Sequence, residues 1–193
     1  MKTKLDKSEL WPDKLPNSFL NRARGTIDFI NPIGKICDCG EDNPLKHIIE
    51  NYYSVNITSL DWNFNETLYI ADNIKKYDTI LAFEVLEHLF NPLVFLNSIK
   101  KLLADAGKIY LSTPYQMPQI IKAIHHYHEI PTDRLMWLFD EAKLKIVKSD
   151  KITIAGNWYE HIHGIRPMLR YFQKTRIYEL KSDKKISPIQ DIY

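Results

Sequence analysis

The run from Tyr77 to Pro114, YDTILAFEVLEHLFNPLVFLNSIKKLLADAGKIYLSTP, limits this chain more tightly than any other stretch. It opens with Thr79-Ile80-Leu81-Ala82-Phe83, a short unbroken apolar run suited to a strand buried on both faces. Asn91-Pro92 predicts a helix start, with Asn91 as the cap and Pro92 at the first helical position. Phe95, Ile99 and Leu102, with Leu96 and Leu103, recur at spacings of three and four. Asn97, Ser98, Lys100 and Lys101 take the other side, so the helix has one apolar stripe and one wet face. Gly107 is expected to end the helix and Lys108–Ser112 to form a second strand. Strand, helix and strand in this space make a crossover unit, which requires parallel pairing.

The acids gather at one edge of that unit. Glu84, Glu87 and His88 follow the first strand, and Thr113-Pro114 close the second. In open α/β sheets ligands bind outside the carboxyl ends of the strands. Charged groups beside a buried strand end are costly unless something engages them.

Asp78, the apolar run, the phrase Glu84-Val85-Leu86-Glu87-His88, then a helix, a glycine and a strand ending Ser112-Thr113-Pro114 resemble one family. It is the class I S-adenosylmethionine-dependent methyltransferases, in their type 11 or type 23 branch. The resemblance extends more loosely from about Gly34 to Leu144. It implies an α/β, Rossmann-like, mainly parallel sheet with helices on both faces and an antiparallel strand near the C-terminus. It also implies S-adenosylmethionine as cofactor and methyl transfer to a small molecule.

Lys35–Cys39 reads as a strand, followed by Asp38-Cys39-Gly40-Glu41-Asp42-Asn43-Pro44 and a helix beginning near Leu45. In the family this loop seats the cofactor and usually reads D-x-G-x-G-x-G. Asp38 and Gly40 match; Asp42 and Pro44 stand where later glycines are usual. A dinucleotide-binding G-x-G-x-x-G is absent, which disfavours a nicotinamide dehydrogenase. Val55–Leu60 reads as the next strand, with Asp61 at its end, 23 residues past Asp38. An acid so placed suits ribose hydroxyls. Asp38, Gly40, Asp61 and Glu84 are thus the expected cofactor-binding residues; for the chemistry of methyl transfer, His88 and Glu87 are the candidate catalytic pair, His88 as base and Glu87, like Glu84, as an orienting or cofactor-facing acid. The bland alternatives are a plain strand-to-helix turn, an ordinary loop aspartate and a satisfied histidine. A short element near Leu68–Ala71 and an adenine-facing Asp72 are weaker expectations.

Downstream, His125, His126, His128 and Glu129 cluster, and the family often carries H-x-H-E here. Such a cluster is read as a base near neutral pH or as an orienting hydrogen-bond group. Asn17 is expected to cap a helix through Phe19, Leu20, Ala23 and Ile27, which the resemblance implies near the cofactor site and which is otherwise plain cover for the sheet; Thr132 is expected to cap another through Leu135 and Phe139. Lys145–Ile154 and Arg176–Leu180 read as further strands. A helix from about Pro167 to Phe172 is preceded by His161 and His163, and its Arg166 and Arg170 face substrate or water.

The 193 residues fit one domain, with residues 1–16 as an arm and 181–193 as a loose tail. A net charge of +2 implies neither nucleic acid nor membrane as partner. No N-P-P-Y-like phrase points to nucleic-acid amino methylation. No apolar run suggests a membrane span or leader, and a cytoplasmic location is the default expectation. Cys37 and Cys39 are expected to point to opposite faces and stay unbridged, and no metal is expected, since H-E-x-x-H is absent. A non-catalytic binding protein of the same fold is the alternative to an enzyme, on the strength of the glycine-poor loop.

Overall fold

Alternation along the strands decides which layer each side chain joins. The computed structural model describes residues 15–65, 76–116, 126–154 and 174–183. In chain order these form α1 (Asn17–Phe29), β1 (Ile36–Asp38), α2 (Pro44–Tyr53), β2 (Ile57–Ser59) and β3 (Tyr77–Phe83). A single 3-10 turn (Leu86–His88) leads to α3 (Pro92–Leu102), β4 (Leu103–Pro114), α4 (Thr132–Glu141), β5 (Leu144–Thr153) and β6 (Lys174–Ser182).

Successive strand residues point to opposite faces, and here they enter two separate cores. Ile36, Ile57, Leu81, Tyr110 and Ile177 pack with Ala23 and Ile27 of α1 and Leu45, Ile48 and Ile49 of α2. Their neighbours Cys37, Ile80, Ala82, Ile109, Leu111 and Tyr178 pack with Phe95, Leu96 and Ile99 of α3 and Leu135 and Phe139 of α4. Helices therefore cover both faces, as the buried-strand reading requires.

The sheet order is β2-β1-β3-β4-β6-β5. β1 pairs in parallel with β2 and β3, and β3 in parallel with β4, Ile80 opposite Ile109 and Phe83 opposite Ser112. β6 runs antiparallel to both β4 and β5. From β1 the chain goes one way to β2, and from β3 the other way to β4. The carboxyl ends of β1 and β3 thus flank a topological switch point, where such sheets bind ligands.

Several local expectations are corrected. α3 ends at Leu102, and Gly107 lies inside β4. It belongs to an irregularity in the β3–β4 register between Tyr77 and Thr79, where a Cβ would come within 3.0 Å of the Ala104 carbonyl oxygen. Asn17 and Thr132 are the first helical residues, and Pro16 and Pro131 stand at the caps. Asn91 does cap α3, its Oδ1 accepting from Val94 N at 3.2 Å. β6 continues through Lys181 and Ser182, which were expected in the tail. Cys37 and Cys39 are free and buried, and both join the same core, as residues two apart on a strand do. Leu68–Ala71, Asp72, His125, His161, His163, the Pro167–Phe172 helix with Arg166 and Arg170, and the ends of the chain lie outside the described residues.

Arg176 of β6 ties the antiparallel half of the sheet to the segment leading into α4. It is 2 % exposed. Its Nη2 donates to the Pro114 carbonyl at 2.8 Å and the Ile130 carbonyl at 2.7 Å, and its Nη1 donates to Thr132 Oγ1 at 3.1 Å. The guanidinium also sits 4.8 Å from the centre of the Tyr115 ring, a favourable cation–π placement. An aliphatic residue there would leave these acceptors buried without donors. Arg176→Leu is expected to lower the free energy of unfolding by about 2–4 kcal/mol, read from urea denaturation.

Candidate functional site

At the carboxyl ends of β1 to β4 the structure holds a cavity of about 600 Å³. Asp38, Gly40, Asp61, Glu84 and His88 all line it. Five of the six residues expected from the sequence are thus brought to one place. The sixth, Glu87, is buried behind the lining.

Asp38 ends β1 at 6 % exposure, and its Oδ2 accepts from Asn43 Nδ2 at 3.0 Å. Asn43 in turn caps α2, its Oδ1 accepting from Lys46 N at 3.0 Å. Burial pushes the Asp38 carboxyl up to about 6, against the opposing pull of Asn43 and Lys46. Gly40 has φ 159°, and a Cβ there would meet no protein atom within 4 Å. Asp42, in the place of a usual glycine, turns to α2: its carboxylate accepts from Lys46 Nζ at 2.9 Å and lies 2.8 Å from His47 Nε2. Those two bonds hold it below the usual carboxylate range. Pro44, in the place of another, is the first residue of α2, where its missing N–H costs nothing. Asp61 is exposed at the far wall, beyond Leu60, whose N–H donates to the Asp38 carbonyl at 2.8 Å.

Glu84 leaves β3 in the left-handed region, at φ 55°. For a residue with a Cβ that is strained, and such strain survives only where neighbours fix it. Here Glu84 N donates to the Ser112 carbonyl at 3.0 Å and to Ser112 Oγ at 3.2 Å. Ser112 Oγ donates back to Glu84 Oε1 at 2.9 Å, and Arg22 Nη1 pairs with Glu84 Oε2 at 3.3 Å. The strained turn aims the next residues across the cavity edge.

Glu87 is fully buried. Thr113 Oγ1 donates to its Oε2 at 3.2 Å, while among the described residues Oε1 has no hydrogen-bond partner. Burial, and then the charge of Glu84, push its carboxyl up to about 8. The Glu87 carbonyl accepts from Tyr127 N at 2.8 Å and His128 N at 3.2 Å, which brings the His126–Glu129 segment over the turn. The His126 ring meets the His88 ring edge-on, 4.9 Å between centres, and His126 Nδ1 lies 3.3 Å from Glu129 Oε1. His126 and Glu129 are thus part of the site's rim, while the His128 backbone anchors them.

Phe19, Arg22 and Thr26 line the cavity from α1, the leading helix that the resemblance implied near the cofactor site; Arg22 and Thr26 were not singled out in the sequence. Ser112, placed only in the second strand, holds Glu84.

Residues 20–147 match the family described as a methyltransferase domain. The chain belongs to that family. The chain thus carries a methyltransferase domain, for which the sequence resemblance implies S-adenosylmethionine as cofactor. Over 120 residues it is 29 % identical to the ubiquinone biosynthesis O-methyltransferase of Haemophilus ducreyi, covering 52 % of this chain and 49 % of that one. The chain spans about half the length of that curated relative. In fold it is similar to coclaurine N-methyltransferase bound to N-methylheliamine and SAH, at TM-score 0.55 and 13 % identity, over 89 % of this chain and 76 % of that one. It is likewise similar to magnesium protoporphyrin IX methyltransferase from Synechocystis with bound SAH, at TM-score 0.53 and 10 % identity, over 91 % and 92 %. The cavity suits the cofactor in size and in donor set. It has carboxylates at two strand ends, and at Gly40 a turn on which a ligand can lie directly against the backbone. Among the described residues no helix is long and apolar enough to cross a membrane.

The Asp38 carboxyl gives the methyltransferase a pH dependence of known sign. Its folded value, about 6, lies above its ordinary 3.8, so the fold binds this proton more tightly than the unfolded chain does. The stabilisation is complete below about pH 4 and is lost as pH rises through about 6, on the order of 2–3 kcal/mol. Asp38→Asn removes that loss. Thermal melts from pH 4 to 7 should show the variant gaining on the unmutated chain as pH rises; a constant difference would contradict the burial argument.

Proposed function

We propose that this methyltransferase transfers the methyl group of S-adenosylmethionine to a small-molecule acceptor held beside the Glu84–His88 turn. Gly40 carries the reading. It is the one glycine kept in the loop, it lines the cavity, and no protein atom would meet a side chain there. Packing within the protein gives no reason for a missing Cβ at that position; a ligand lying on the backbone does.

Asp38, Gly40 and Asp61 are the residues that would hold the cofactor. Asp61 accepts from ribose hydroxyls, since a carboxylate can accept from two donors at once. Glu84 fixes Arg22 at the cavity wall. When bound, the cofactor supplies a sulfonium-activated methyl group, and the protein's task is to hold the acceptor in line and keep water out. His88, exposed at the cavity edge, is placed to relieve an acceptor hydroxyl or ammonium of its proton. Glu87 backs that turn from the core. The likeness to an O-methyltransferase favours a hydroxyl acceptor. The mild net charge, Lys and Arg outnumbering Asp and Glu 26 to 24, gives no support to a nucleic-acid substrate.

Asp42 and Pro44 favour a second reading, a relative that keeps the fold and binds cofactor weakly or not at all. Calorimetry with S-adenosylmethionine and its demethylated product separates the two. Binding is expected for the unmutated chain, and no heat at millimolar ligand would leave the non-catalytic reading standing. Asp61→Ala should weaken product binding by about 1–3 kcal/mol. Gly40→Val should abolish it at temperatures where the variant is still folded, although a side chain at φ 159° strains the turn and lowers the melting temperature. Binding lost only together with the fold would show instead that the turn needs its glycine for folding.

A further inference from the structure

We propose that Glu87, His88 and His126 form a binding site for a divalent first-row transition-metal ion at the rim of the cofactor cavity. This departs from the sequence expectation of no metal. The site stands on its own geometry; only its use in methyl transfer rests on the proposed function.

One ligand atom from each of the three residues lies within 4.8 Å of the others. Nitrogen and oxygen ligands bond such ions at about 2.0–2.2 Å, so ligand atoms around a tetrahedral ion stand about 3.3–3.6 Å apart. Side-chain rotations that bring these atoms together by up to about an ångström close the triad. Two imidazoles and a carboxylate suit zinc or ferrous iron better than magnesium or calcium, which take oxygen ligands.

The surroundings favour an ion independently of the distances. Glu87 is fully buried, yet its Oε1 has no hydrogen-bond partner among the described residues. A buried carboxylate oxygen left unmatched is costly. Thr113 satisfies the other oxygen, so Oε1 is the atom open to a cation. His126 Nδ1 lies 3.3 Å from Glu129 Oε1, and the Glu129 side chain is itself only 4 % exposed. A ring N–H given to a buried carboxylate fixes the tautomer and turns the other nitrogen's lone pair outward, which is how metal-binding histidines are commonly oriented. The two backbone bonds to the Glu87 carbonyl, at 2.8 and 3.2 Å, fasten the His126 segment to the turn bearing the other two ligands. The edge-on meeting of the rings brings the imidazoles close without stacking them.

With an ion present, the His88 lone pair is a ligand and no longer a base. An acceptor hydroxyl coordinated to the ion would lose its proton to solvent more readily, since a divalent ion acidifies a bound O–H group. The ion would also orient the acceptor.

The experiment uses the full, untagged chain, stripped with chelator and titrated with zinc chloride alone by calorimetry. Cobalt chloride is added separately, and its visible spectrum reports nitrogen ligation. One ion per chain is expected, with at least tenfold weaker binding in Glu87→Gln and in His126→Ala and a changed cobalt spectrum in His88→Ala. The far-ultraviolet circular dichroism of each stripped variant checks that it is folded. No saturable binding by the unmutated chain, or equal affinity in folded Glu87→Gln and His126→Ala, overturns the site. The measurement contains no cofactor, so it succeeds or fails separately from the methyl-transfer reading. Binding of the demethylated product in chelator tests that reading without the metal.

Discussion

The cavity depends on a clamp between two neighbouring strand ends. Glu84 must turn out of β3 with a positive φ, a conformation that costs free energy for any residue with a side chain. Ser112, opposite Phe83 in the parallel register, supplies a carbonyl and a hydroxyl to its N–H and a hydroxyl to its carboxylate. The strain is thus held by a residue whose position is set by the sheet. Arg22 reaches from α1 to the remaining carboxylate oxygen and joins the helix to the same point. Strand, helix and turn are fixed by one side chain, and the residues after it are delivered to the cavity edge.

Much of the fold was legible because its determinants are local and periodic. Thr79–Phe83 is apolar throughout, and a strand between two helical layers needs such a run. The three-and-four spacing of Phe95, Leu96, Ile99 and Leu102 and the cap at Asn91 likewise act within one turn of helix. The errors arose where local chemistry competed. Asn17 and Thr132 are good capping residues, yet each follows a proline with φ −57°, and that proline takes the cap position while the polar residue enters the helix. Gly107 resembles a helix terminator, but its place is an irregular stretch of β4 whose need for a small residue comes from Leu103 and Ala104.

The site was legible where it is built from strand ends and obscure where distant segments meet. Asp38, Asp61, Glu84 and His88 could be placed because each ends a strand or follows one closely in the chain. The approach of His126 to His88 spans 38 positions and depends on two backbone bonds that no spacing reveals. Glu87 looked like a second site carboxylate in the sequence. The structure puts it inside the core, where Thr113 and the backbone of the His126 segment surround it. Its burial changes its chemistry: a carboxyl pushed up to about 8 holds a proton through the neutral range unless a positive charge arrives.

The glycine-poor loop illustrates how a family pattern can be met by different means. A glycine is needed only where ligand meets backbone or where φ excludes a side chain. At position 40 no protein atom crowds the turn, and its φ of 159° is one that residues with side chains rarely adopt. Asp42 and Pro44 have no positive φ, and both serve the start of α2, which begins at Pro44. Asp42 spends its charge on Lys46 and His47 in the first turn of that helix, where a negative group is favoured by the exposed N–H groups. Pro44 occupies the first helical position, and Asn43 between them both caps the helix and donates to Asp38. The later residues of the loop therefore strengthen the helix start that holds Asp38 in place, while the turn at Gly40 stays open to the cavity. Losing two glycines stiffens this loop without closing it, since a shorter flexible stretch has less conformational entropy to give up on binding.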